Sequence, residues 1–266
     1  MSIKEILVHL DDTDRCLIRQ DVAMTLAIGH QAHVTGFYAT SRPFSASTLS
    51  GLSRKATEIE AAFREKAAAA GISADWIFAD RVDLPTGVAE RLIQQGYYAD
   101  LVIVGQADPA AASPNTLNDL PERLVIGVGR PVLVIPRSGE FSGAGQKIML
   151  AWRGGKGSSR ALNDSIHFLE QAQRINLVMV NPEADFATQA DRLCAYLGHH
   201  GVTASIDRIS VEDVLAGDVL LNQACDLGID LIVLGAVANR RLGKTFLGPV
   251  GKHFLAHMTI PVLMSR

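Results

Sequence analysis

Asp100-Leu101-Val102-Ile103-Val104-Gly105 returns 130 residues later as Asp230-Leu231-Ile232-Val233-Leu234-Gly235. At the same offset, Arg130-Pro131-Val132-Leu133-Val134 returns as Ile260-Pro261-Val262-Leu263-Met264. These runs are apolar with little polar alternation, the pattern of strands covered on both faces of a parallel sheet. The beginnings also correspond: Glu5-Ile6-Leu7-Val8-His9-Leu10 matches Lys147-Ile148-Met149-Leu150-Ala151-Trp152, now 142 residues apart. Self-similarity at a long, fixed period means that one structural unit occurs twice. The change of offset assigns the extra residues of the first copy to 41–53.

Outward from these runs, short apolar stretches alternate with helical patterns, the signature of β-α-β units. The first copy predicts strands over 4–10, 32–39, 75–79, 100–105 and 131–135, with helices over 14–29, 52–70, 86–97 and 119–127. The second predicts strands over 146–152, 174–180, 203–209, 230–235 and 261–265, with helices over 158–172, 184–200, 211–227 and 244–257. Between them, 136–145 is rich in Gly and Ser and breaks every period. A domain boundary is expected there, giving domains 1–137 and 146–266.

The 266 residues are 48% hydrophobic and 20% charged, ample for buried cores and unlike a disordered chain. A net charge of −3 gives no electrostatic reason to expect nucleic acid or an anionic membrane as partner. Cys16, Cys194 and Cys225 are too few and too scattered for a disulfide framework or a close-spaced zinc motif. With no signal-peptide pattern and no bilayer-length apolar run, a cytoplasmic location is expected.

Open parallel sheets bind ligands outside the carboxyl ends of their strands, where strand order reverses. The segments after strands one and four are therefore the places to look. After the fourth strand of the second copy, Gly235 to Lys252 holds four glycines and four basic residues. Glycines let the backbone approach an anion, and free N–H groups at a helix start bind phosphate oxygens.

Here the sequence resembles the universal stress protein family. Many of its members carry Gly, two residues, Gly, nine residues, then Gly with Ser or Thr, and hold ATP phosphates with that loop. This chain has Gly235 and Gly248 at the matching spacing, Ala238 at the second Gly, and Pro249 where the hydroxyl stands. Proline brings neither a hydroxyl nor a backbone donor. The family's acidic residue at the end of strand one is matched in the first copy by Asp11-Asp12-Thr13, whereas the second has Trp152-Arg153-Gly154. The first copy's own fourth-strand loop, 105–114, has no later glycines and no basic residue, so no phosphate is expected there.

The resemblance implies an α/β fold class of two tandem Rossmann-like (adenine nucleotide alpha hydrolase-like) domains. Each would be a five-stranded, mostly parallel sheet with helices on both faces. It implies a stress-response protein that binds ATP or another adenine nucleotide, with magnesium accompanying ATP, and with at most slow ATP hydrolysis. The nucleotide-binding residues would be Gly235, Ala238, Arg240, Gly248, Val250 and Gly251. An internal pseudo-dimer pairing the edge strands near 132–135 and 262–264 is expected, as is association of two chains and contact with protein partners not identified by the sequence. The alternative is an interaction module in which both ancestral sites have decayed, which Pro249 and Trp152 favour.

Other patterns are weighed against bland readings. Ala238 to Thr245 matches a relaxed Walker A pattern, but too little chain follows for a P-loop domain. His199-His200 marks a helix end. His253 and His257 share a helix face without a third metal ligand. Asp11 reads as a helix N-cap before an acid–base group, and Ser158-Ser159 as another cap. Trp152 suits a domain interface or a ligand base.

Overall fold

A computed structural model describes residues 3–41, 46–82, 87–110, 117–182, 186–236, 238–241 and 244–266. The chain divides into two units, Met1–Gly143 and Ala144–Arg266. The first runs β1 (Glu5–Leu10), α1 (Cys16–His30), β2 (His33–Ser41), α2 (Ala46–Ala69), β3 (Ala74–Val82), α3 (Gly87–Gly96), β4 (Leu101–Gly105), α4 (Leu120–Gly127) and β5 (Val132–Ile135). Its strands are ordered β3-β2-β1-β4-β5. Every neighbouring pair is parallel.

The second unit runs β6 (Lys147–Ala151), α5 (Gly155–Leu169), β7 (Arg174–Val180), α6 (Phe186–His199), β8 (Ser205–Ile209), α7 (Ala216–Asp226), β9 (Leu231–Gly235), β10 (Ala238–Arg241), β11 (Lys244–Leu247), α8 (Pro249–His257) and β12 (Val262–Ser265). Its parallel strands are ordered β8-β7-β6-β9-β12. The two units are thus α/β folds of one topology, each with its reversal of strand order between the first strand and the fourth.

The apolar runs form the centre of each sheet. Ile6, Val8, Val102, Ile103 and Leu133 are fully buried in the first unit, as are Ile148, Leu150, Ile232, Val233 and Leu263 in the second. The acidic residue that opens the repeated run has a structural task in both. Asp100 Oδ2 accepts the backbone N–H groups of Lys4 and Glu5 at 2.8 and 3.1 Å. Asp230 accepts those of Gly145, Gln146 and Lys147 at 2.8 to 3.1 Å. Each carboxylate thereby fixes the entry of its unit's first strand beside its fourth.

Three sequence expectations are corrected. The helix expected over 52–70 starts already at Ala46, so that α2 has 24 residues against 14 in α6. The helix expected over 211–227 starts only at Ala216, after Asp213 takes a positive φ of 57°. The helix expected over 244–257 begins at Pro249, and 244–247 is a strand paired antiparallel with 238–241. Proline is accommodated in the first turn of a helix but disfavours helical geometry in the residue before it, so Pro249 sets the boundary.

Candidate functional site

In the first unit, β1 delivers His9 and then Asp11 to the carboxyl end of the sheet, and α1 returns Arg19 over them. Arg19 Nη2 lies 2.5 Å from Asp11 Oδ1, with the two side chains only 3% and 8% exposed. Arg19 Nε donates to the His9 carbonyl at 3.0 Å. Asp11 Oδ1 also accepts the Thr13 amide at 3.0 Å and the Thr13 hydroxyl at 2.5 Å. Asp11 is therefore not the cap of α1, which begins at Cys16 with no side-chain cap. Its short carboxylate closes a local turn and neutralises a buried guanidinium instead.

Electrostatics follow from that burial. Desolvation drives the His9 imidazole down to about 4, and Arg19 adds to the effect against the upward pull of Asp11. Burial pushes Asp11 upward, but Arg19, His9 and the Thr13 hydroxyl outweigh it and hold the carboxyl below its ordinary value. His9 is thus neutral and Asp11 charged at neutral pH.

This arrangement occupies the position where a ligand would sit. A Cβ on Gly105, at the end of β4, would lie 2.6 Å from Arg19 Nη1. Chain leaving β5 folds back over the same place. Arg15 donates to the carbonyls of Gly139 at 2.7 Å and Pro136 at 2.9 Å, and the Arg137 amide donates to Gln106 at 2.9 Å. The cavity left among Asp11, Arg19, Gln106 and Arg137 is about 30 Å³, room for a water molecule.

The second unit is built differently at the equivalent place. At the offset of 142, His9, Asp11 and Arg19 become Ala151, Arg153 and Ala161, so the buried ion pair has no counterpart there. Instead the first turn of α5 packs directly on the end of β9. A Cβ on Gly235 would lie 2.5 Å from the Gly157 carbonyl carbon and 2.6 Å from the Ser158 amide. Gly154 and Gly155, with φ of 80° and 77°, make the turn that brings α5 in. α5 already begins at Gly155, so Ser158 lies inside it, and its hydroxyl accepts the Arg153 amide at 3.3 Å.

The six residues singled out from the sequence fall into three places. Gly235 is the helix-packing position just described. Ala238 and Arg240 lie in β10, opposite Leu247 and Thr245 of β11; their side chains are outside the described residues. Gly248 is buried and caps α8 with φ −64° and ψ 165°, followed by the half-buried Val250 and the buried Gly251. A Cβ on Gly251 would lie 2.7 Å from Leu247 Cγ. Lys244 and Thr245 are strand residues, not the start of a helix, so the Walker-like pattern does not form a P-loop. His253 Nε2 lies 2.8 Å from Asp218 Oδ1, tying α8 to α7, and its ring stacks on His257 at 4.4 Å. Among the described residues no group of three His, Cys, Asp or Glu side chains could hold a metal ion. Nor is any helix among them long and apolar enough to cross a membrane.

The sequence reading missed a cavity of about 530 Å³ between α5 and α6, lined by Trp152, Ser159, Leu162, Asn163, Arg192 and Tyr196 among others. A signal was present. Gln189, Arg192, Leu193 and Tyr196 fall at i, i+3, i+4 and i+7, one helix face, and Ser159, Leu162 and Asn163 keep the same spacing on α5.

Residues 166–266 match the Universal stress protein family. No curated protein sequence matches the chain significantly. Among solved structures, the chain is similar to a universal stress protein from Archaeoglobus fulgidus DSM 4304, with 14% identity, 98% of each chain covered and a TM-score of 0.78. It is also similar to a functionally unknown protein from Pseudomonas aeruginosa PAO1, at 18% identity, 99% and 92% coverage and a TM-score of 0.63. The chain thus resembles a tandem universal stress protein, by sequence in its second unit and by fold throughout.

Proposed function

We propose that the chain is a cytoplasmic stress-response protein whose second unit binds an adenine nucleotide, with little or no turnover. The phosphates would lie against Gly235, Ala238, Arg240, Gly248, Val250 and Gly251. One observation carries this reading: in the half that matches the family, β9 leads through a hairpin to a helix capped by Gly248, beside the reversal of strand order between β6 and β9. A helix start at that position attracts anions through its dipole and free amides.

The residues suit a nucleotide better than a metal. None of the six is acidic, so magnesium would depend on the phosphates and water for its ligands. The first unit, with Arg19 and Asp11 in place of a ligand, would serve as a structural partner. Pairing of the two units, and of two chains, belongs to the same proposal.

A second reading, an interaction module with two decayed sites, draws on Pro249 and Gly235. Pro249 takes one amide from the first turn of α8, and Gly235 meets the α5 backbone. Calorimetric titration with ATP, ADP and AMP, with and without magnesium, separates the two. Saturable heat that disappears in Gly248→Asp supports the nucleotide site. No heat at millimolar nucleotide supports the interaction module.

A further inference from the structure

We propose that the α5–α6 cavity of the second unit binds a small planar aromatic carboxylate, at a site separate from the nucleotide site proposed above. The cavity of about 530 Å³ falls within the ~300–1,000 Å³ range of small-molecule sites. Its lining combines apolar and aromatic surface, from the buried Leu162 and Leu193 and the rings of Trp152 and Tyr196, with a few polar groups. Such a wall favours a flat, largely apolar ligand held in orientation by a few hydrogen bonds.

One of those polar groups defines the ligand further. Among the described lining residues Arg192 is the charged side chain, and no Asp or Glu is among them. One guanidinium complements one negative charge, and its planar fork matches a carboxylate. A phosphate monoester would bring nearly two charges to that single cation.

The first unit supplies an internal contrast. The corresponding groove between α1 and α2 is smaller, about 210 Å³, and among the described residues Asp11, Asp12, Asp14 and Glu58 line it against Lys55. An anion would be repelled there, so one chain should take one ligand.

The chain has two tryptophans, Trp76 and Trp152, whose indole N–H signals give a residue-specific readout. The full chain, labelled with ¹⁵N, is titrated with indole-3-carboxylate, with neutral indole-3-carboxaldehyde and with AMP, and Trp152→Phe assigns the signals. Saturable movement of the Trp152 signal by the acid, with the Trp76 signal still, is expected. Because Arg192 is exposed on α6, Arg192→Gln leaves the fold intact and should weaken the acid about tenfold or more, as loss of a charge-assisted hydrogen bond does. Three results would each overturn the proposal: no saturable shift at millimolar acid, equal affinity for acid and aldehyde, or displacement of the acid by AMP.

Discussion

The carboxyl ends of the two sheets solve one geometric problem in opposite ways. In the first unit a long side chain fills the space between the first helix and the fourth strand: Arg19 lies over Gly105 and is neutralised by Asp11. In the second, Ala161 replaces that arginine and the helix backbone itself closes on the strand at Gly235. Charge buried on one side is replaced by backbone contact on the other. Glycine is needed at both strand ends, but for different neighbours.

The contrast is tested most severely at Arg19. Its removal leaves Asp11 charged and enclosed, and breaking one partner of a buried pair costs roughly 3–5 kcal/mol. Arg19→Ala should lower the unfolding free energy measured in urea by that amount, whereas Ala161→Gly at the equivalent position of the second unit should lower it by only about 1–2 kcal/mol. Comparable losses from the two substitutions would break the comparison.

The buried imidazole gives the next largest effect. A folded-state value of about 4 against 6.5 for the free group means that the unfolded chain takes up the proton first. The resulting stability is complete above pH 6.5 and is lost as pH falls toward about 4, by about 3 kcal/mol in all. Asp11, also held below its ordinary value, adds a loss at lower pH with the same sign. Unfolding free energy measured across this range should lose most of its slope between pH 6.5 and 4 in His9→Ala, whatever the variant's overall stability. An unchanged slope would place the effect on other groups.

Substituting the two glycines sharpens the comparison directly. An alanine methyl at 235 meets α5 backbone that can move only with its helix, and overpacking of this kind costs about 1–3 kcal/mol. At 105 the same methyl meets the far end of the Arg19 side chain, which can shift part of the way. Gly235→Ala should therefore be the more destabilising of the two in denaturant titrations. The reverse order would mean that the Arg19–Asp11 pair is the more rigid wall.

The repeat and the positions of the parallel strands were readable because central strands of a parallel sheet are apolar without interruption, and Val102–Gly105 and Ile232–Gly235 carry that pattern openly. The hairpin after β9 was not. Its residues, Ala238-Asn239-Arg240-Arg241 and Lys244-Thr245-Phe246-Leu247, form a two-stranded ribbon outside the main sheet, where burial imposes no clear alternation. The Arg19–Asp11 pair was hidden for another reason. Its partners are eight residues apart in a turn and a helix, and nothing in local pattern shows that an arginine at a helical position points inward. The α5–α6 cavity lay between: the helical spacing of its lining was visible, but which helices face each other is a tertiary fact.

The smallest effect concerns the aspartates that open the repeated run, and it asks how far equivalence between the units extends. Asp100 uses one oxygen, Oδ2, for both of its backbone donors. Asp230 uses both oxygens, Oδ1 for Gly145 and Oδ2 for Gln146, with Lys147 shared between them. Asparagine retains one carbonyl oxygen and turns a donor outward in place of the other. Asp100→Asn can keep its two bonds with a neutral acceptor and should cost only a few tenths of a kcal/mol. Asp230→Asn must set its amide nitrogen against a backbone N–H and should cost about 1 kcal/mol. Thermal unfolding of the two variants side by side measures the difference. Equal losses would mean that the carboxylates act through charge alone and that their different hydrogen-bond patterns have no energetic consequence.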